Sequence, residues 1–78
     1  MDDVFALMLG RQYALDGTAR RLRVGAGLSC AEMGAAVGRS GSAVQLWETG
    51  KRMPHGPSGV AYGQLLAKLN ARRPTGEA

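Results

Sequence analysis

The sequence predicts an all-α fold of five short helices, and three observations carry that prediction. No run alternates apolar and polar residues over a useful length, so regular strands are not expected. Turn signals built on Gly with Asp, Ser or Thr cut the chain into segments of helical length. Within those segments apolar residues recur three and four apart, the spacing of one helix face.

The first helix is expected over roughly residues 3–14, capped by Asp2 or Asp3, whose carboxylates also suit the positive end of the helix. Val4, Leu7, Met8 and Leu15 fall near helical spacing with Phe5 and Leu9 beside them, a broad apolar set. Asp16-Gly17-Thr18 interrupts, and Asp16 or Thr18 caps a second helix running to about Gly25. Its Leu22 points inward among Arg20, Arg21 and Arg23. Gly25-Ala26-Gly27 ends it on a left-handed glycine stop.

Ser29 caps the third helix, and Glu32 three residues later completes the Ser-x-x-Glu capping box. Ser40 caps the fourth, which stops at Gly50. After the Pro54-His55-Gly56-Pro57 loop, Ser58 caps a fifth helix to about Ala71. Val60, Leu66 and Leu69 form its buried stripe, with Tyr62 or Leu65 flanking. Gly34, Gly59 and Gly63 fall in or near helix interiors, where each costs about 1 kcal/mol relative to Ala. The organisation expected is an additional helix over residues 1–15, a main domain over 16–71, and a flexible tail over 72–78.

Size and composition narrow the function. A chain of 78 residues buries only about 60% of its unfolded surface, so its core is marginal. One cysteine, Cys30, excludes an intrachain disulfide, and Cys30 with the single His55 cannot build a structural zinc site. No metal and no cofactor is expected. The longest apolar run, Val4 to Leu9, is far short of the ~20 residues a membrane helix needs and follows two acids, so it is not a signal peptide either. A cytoplasmic location, with the nucleoid, is the expectation. No carboxylate pair, nucleophile–base pair or phosphate-cradling glycine loop stands out, so no enzyme activity is expected.

The net charge of +4 is unevenly spread. Residues 1–10 carry Asp2 and Asp3 and no base, whereas every Lys and Arg lies after them. A basic body suits a polyanionic partner.

The most informative stretch is Ser29–Pro54. Two short helices joined by a 3–4-residue turn form a helix-turn-helix, whose second helix can enter the DNA major groove. Met33, Val37, Val44 and Trp47 converge on one core. Gly34 stands where the following helix must approach closely, and Gly38 accepts the left-handed turn conformation. Gly27-Leu28-Ser29, Met33-Gly34, Val37-Gly38, Val44, Trp47-Glu48-Thr49-Gly50-Lys51 and Pro54 together resemble the Cro/C1 repressor-type helix-turn-helix, the XRE family, over about Thr18 to Leu69.

The resemblance implies a compact lambda-repressor-like domain, here with an extra N-terminal helix, and a recognition helix from Ser40 to Thr49. It implies base readout by Ser40, Gly41, Ser42, Gln45 and Leu46. Gln pairs well with adenine, Ser serves either partner of a base pair, and Leu touches a thymine methyl. Phosphate contact falls to Ser29, Cys30, Arg39, Lys51, Arg52 and Arg20, helped by backbone N–H groups at a helix start. Arg23 and Glu48 match a structural ion pair of the family. Three residues depart from the pattern. Arg39 stands at a turn position usually apolar or small and is expected to swing out to solvent or phosphate. Gly41 supplies no reading side chain, and Leu46 is apolar where polar residues are common. Readout then rests chiefly on Ser42 and Gln45, with DNA shape as a second source of specificity.

Plainer roles compete at several positions. Met33, Trp47 and Val60 read as core, and His55 as an exposed loop residue. Cys30 reads as a small helix-start residue before it reads as a redox switch. The expected function is a sequence-specific transcriptional regulator, Cro-like or repressor-like, that occupies an operator in double-stranded DNA. As a homodimer, at least on DNA, it would span half-sites about one helical turn apart. Residues 3–14 are expected to cover one end of the core, to form the dimer contact, or both. The alternative is an adaptor or antitoxin-like module that uses the same fold to bind a protein.

Overall fold

In a computed structural model that describes residues 2–72, the chain runs through α1 (Asp3–Asp16), α2 (Thr18–Gly25), α3 (Cys30–Val37), α4 (Gly41–Glu48) and α5 (Gly56–Arg72). No strand occurs among the described residues. Of the tail expected over 72–78, Arg72 instead closes α5, and residues 73–78 lie outside the described ones.

Local chemistry sets most helix ends. Asp2 caps α1 by accepting from the Phe5 N–H at 2.8 Å. The full capping box opens α3: Glu32 N–H donates to Ser29 Oγ at 3.0 Å, and Ser29 N–H donates to Glu32 Oε1 at 2.8 Å. Ser40 Oγ accepts from Ala43 N–H at 3.1 Å to open α4. Two starts differ from expectation. At α2 the cap position falls on Gly17, at φ 86°, while Asp16 accepts from Thr18 N–H at 2.9 Å from just outside. Hydrogen bonding from the Thr18 side chain, and then from its N–H, holds the Asp16 carboxyl below its ordinary pKa. At α5 the helix opens at Gly56 rather than after Ser58, its first bond running from Gly59 N–H to the His55 carbonyl at 3.0 Å. Pro57 lies within that first turn, where its missing N–H has no helical partner to lose.

The core is built from Ala14, Ala19, Leu22, Met33, Val37, Val44, Trp47, Tyr62, Leu66 and Leu69. Trp47 and Tyr62 sit at its centre with ring centroids 4.7 Å apart, tilted by 54°. Such an aromatic pair adds about 0.5–1.5 kcal/mol beyond its area burial. On α5, Tyr62 takes the central place and Val60 is only half-buried, a correction that follows from the face turned inward, Gly59, Tyr62, Gly63, Leu66 and Leu69. The Tyr62 hydroxyl is enclosed with no hydrogen-bond partner among the described residues, and burial pushes its pKa upward, so it stays neutral.

The most extensive helix pairing joins α1 to α5, and it inverts the expected face of α1. Ala6, Gly10 and Ala14 are buried, whereas Val4, Phe5, Met8 and Leu15 are exposed. The reason is a backbone-to-backbone crossing. A β-carbon added at Gly63 would fall on the Ala6 carbonyl, and one added at Gly10 would lie 3.2 Å from Gly63 Cα. At Gly59 it would meet Leu7 Cδ1 at 2.8 Å and the Pro54 carbonyl carbon at 2.9 Å. Two helices this close leave no room for large side chains between them. The interior glycines of α5 are therefore packing requirements, not avoidable propensity losses.

Candidate nucleic-acid interface

The α3–α4 pair is positioned by its own close contact and by an anchor from α2. Gly38, at φ 78°, turns the chain between the two helices. A β-carbon added at Gly34 would lie 2.6 Å from the carbonyl oxygens of Arg39 and Ser40, so the turn can press onto α3 only over a glycine. On the far side, one added at Gly41 would lie 2.9 Å from Ala31 N. The first turn of α4 therefore rests on the first turn of α3, and two positive helix ends converge. The capping box takes up the N–H groups of Ser29 and Glu32, leaving those of Cys30 and Ala31 unpaired among the described residues.

Arg23 ties α2 to the end of α4. Its Nε donates to Glu48 Oε2 at 2.7 Å and its Nη2 to Glu48 Oε1 at 3.0 Å, a two-pronged pair, while Nη1 donates to the Leu28 carbonyl at 2.9 Å. The side chains are only 11% and 6% exposed. Hydrogen bonding to the Glu48 carboxylate raises the Arg23 pKa still further, so the guanidinium stays charged. This geometry makes no chemistry; it sets the angle at which α4 leaves the core.

Ala43, Val44 and Trp47 anchor the inner side of α4, which puts Ser42 and Gln45 outward and leaves Leu46 half-buried. After Glu48, the N–H groups of Lys51 and Arg52 both donate to the Leu46 carbonyl, at 3.0 and 3.2 Å. Thr49 Oγ1 donates to the Gln45 carbonyl at 3.0 Å. The loop is thus stitched to the helix end while the Lys51 and Arg52 side chains stay exposed. Sparse outward polar groups on one helix, a basic loop beyond it and two helix starts beneath it form a single surface of helix-turn-helix geometry.

The model of a helix-turn-helix domain family matches residues 15–74. The chain belongs to that family, the helix-turn-helix DNA-binding domains of XRE type. No curated protein and no solved structure matches the chain. Among the described residues no helix is long and apolar enough to cross a membrane.

Within this helix-turn-helix domain, the expected site residues fall into different situations. Ser42 and Gln45 are exposed on α4 and Lys51 and Arg52 on the loop after it, and Cys30 is half-buried at the start of α3. The Ser29 and Ser40 hydroxyls are engaged as caps. Gly41 faces Ala31, so its missing side chain serves the helix crossing. Arg39, expected to swing outward, lies instead across Trp47 with its Cζ 5.8 Å from the ring centroid, and its Nη1 reaches Ser58 Oγ at 3.5 Å. A guanidinium plane gains from an aromatic face, which favours this pose over free extension. Arg20 is exposed on α2, which packs on α1 and α5 more than on the α3–α4 pair. Sequence reasoning missed Arg11, whose Nε donates to the Pro54 carbonyl at 2.8 Å and braces the loop after α4. No local signal marks that residue, because its partner lies 43 positions away.

Proposed function

We propose that this protein is a sequence-specific transcriptional regulator, Cro-like or repressor-like, that acts by occupying an operator and carries no catalytic activity. The observation that supports this reading is the convergence of the α3 and α4 starts beside an outward helix face and an exposed Lys51–Arg52 loop. In this reading α4 lies in the major groove, with Ser42, Gln45 and Leu46 toward base edges. The free N–H groups of Cys30 and Ala31, with Lys51 and Arg52, hold phosphates on either side. Ser29 and Ser40 contribute by shaping the helix starts, Gly41 through its backbone, and Arg39 by bracing Trp47. Arg20 is a peripheral phosphate contact. Residues 16–71 form the DNA-binding unit, residues 1–15 an added helix, and the protein works as a homodimer on DNA at the nucleoid.

Selection of bound duplexes from a random pool, followed by fluorescence anisotropy across a salt series, tests the reading. Lys51→Ala with Arg52→Ala should weaken binding to all duplexes alike and lower the salt slope by about 2, one for each phosphate no longer neutralised. Gln45→Ala should relax discrimination at one base position by roughly 1–3 kcal/mol. Failure of every duplex to bind better than roughly micromolar at ~100 mM salt, the level of non-specific association, sinks the operator reading in favour of an adaptor or antitoxin-like module.

A further inference from the structure

α1 turns Ala6, Gly10 and Ala14 inward and leaves four large apolar residues outward. Val4 and Leu15 are 69% and 70% exposed, Met8 and Phe5 59% and 54%. Val4, Met8 and Leu15 stand at i, i+4 and i+11, which is one face of a helix with 3.6 residues per turn, and Phe5 lies at its side. The loop after α4 runs alongside the C-terminal half of that helix. Arg11 Nε donates to the Pro54 carbonyl at 2.8 Å, and Leu15 Cδ2 lies 3.6 Å from where a β-carbon on Gly50 would stand. The same loop carries Met53, itself 54% exposed.

One end of this apolar face therefore carries Asp2 and Asp3. The other lies beside the loop that carries Lys51 and Arg52, two bases against the single Asp16 that ends the helix. Acid at one end and base at the other is self-complementary under a two-fold axis, because antiparallel pairing sets unlike ends together twice. The family match begins at residue 15, so nearly all of the face lies outside the part of the chain that the family accounts for.

We infer that a second copy of this chain covers the outer face of α1. The two α1 helices pair antiparallel about a two-fold axis near Met8, and the Asp2–Asp3 tip of each copy meets the Lys51–Arg52 loop of the other. Val4, Phe5, Met8, Leu15 and Met53 are the apolar contacts. This interface rests on the dimeric regulator proposed above and says which surface makes it a dimer. On DNA its apolar contacts hold it, because phosphates then compete with the partner's Asp2–Asp3 tip for Lys51 and Arg52.

The test is sedimentation equilibrium of the full chain without DNA, which separates the 8.2 kDa monomer from its dimer. The wild type should be dimeric at tens of micromolar. Met8→Glu, and independently Phe5→Glu, should give monomers with unchanged helical circular dichroism and thermal melting, since both side chains are exposed on the monomer. Asp2→Lys with Asp3→Lys should weaken the dimer by roughly tenfold or more, because the symmetry doubles each charge pair. Adding Lys51→Glu and Arg52→Glu should restore it. A wild type that stays monomeric at ~200 µM, where a weak complex of Kd near 10 µM would be mostly formed, overturns the inference. So does a dimer indifferent to both glutamate variants, or charge reversal that does not restore pairing. Dimerisation without binding to any duplex overturns the DNA reading and leaves this interface standing; duplex binding by a strictly monomeric chain does the reverse.

Discussion

The α3–α4 and α1–α5 pairs both cross at glycine, yet they use it to opposite effect. In α3–α4, Gly34 and Gly41 admit the neighbouring backbone while Met33, Val37, Val44 and Trp47 still turn inward, so each helix keeps an ordinary apolar inner face. In α1–α5, Gly10 and Gly63 bring the backbones so close that only Ala6 and Ala14 join them on the buried side of α1. Val4, Phe5, Met8 and Leu15 are displaced to the outside. Large size marks the buried face only where helices stand far enough apart to need filling.

The α3–α4 arrangement is most exposed to removal of its anchor. Arg23→Ala leaves Glu48 enclosed without its partner and should cost about 3–5 kcal/mol, read by urea unfolding. A loss under ~1 kcal/mol, the range of an exposed pair, would mean that α4 is held by its apolar side alone.

One alanine probes the α1–α5 crossing, and a second, on α2, is its control. Gly63→Ala should destabilise by about 1–3 kcal/mol or more, since its β-carbon falls on the Ala6 carbonyl and backbone must move. Gly25→Ala, whose β-carbon meets nothing within 4 Å, should stabilise by roughly 0.4–1 kcal/mol. If both alanines stabilise in thermal melts, the close crossing does not exist in solution.

The smallest effect concerns the start of α3. Hydrogen bonds from Ser29 lower the Glu32 pKa below its ordinary 4.5. Because the folded pKa is the lower one, this contribution to stability is complete above pH 4.5 and disappears as pH falls through the folded value. Glu32→Gln keeps an acceptor for the Ser29 N–H but does not titrate. Its stability should fall less steeply than the wild type's between about pH 5 and 3, around the ordinary carboxylate range, in a series of melts. An unchanged slope would mean that the capping carboxylate is not engaged in solution.

Signals that act within a few residues are legible in the sequence. Ser29 with Glu32, Ser40 ahead of Ala43, and Gly38 between two apolar runs specify helix starts and a turn through bonds spanning about one helical turn. The small residue expected at Gly34 follows from the same local geometry. The start of α5 is less legible: Ser58 is a good cap by composition, yet the His55 carbonyl is the group that accepts. Nothing adjacent in the chain holds Arg39, so the sequence points it outward; the distant Trp47 ring holds it in place.

Local sequence suffices to specify an all-α helix-turn-helix domain, with α4 leading with Ser42 and Gln45 and a basic loop behind it. Capping, turn conformation and helical period are short-range, so neighbouring residues encode them. Only long-range packing settles which face of α1 is buried, where Arg39 and Arg11 rest, and why Gly59 and Gly63 stand inside a helix. Each of those depends on how closely two distant backbones approach, and that distance is set only when the whole core packs.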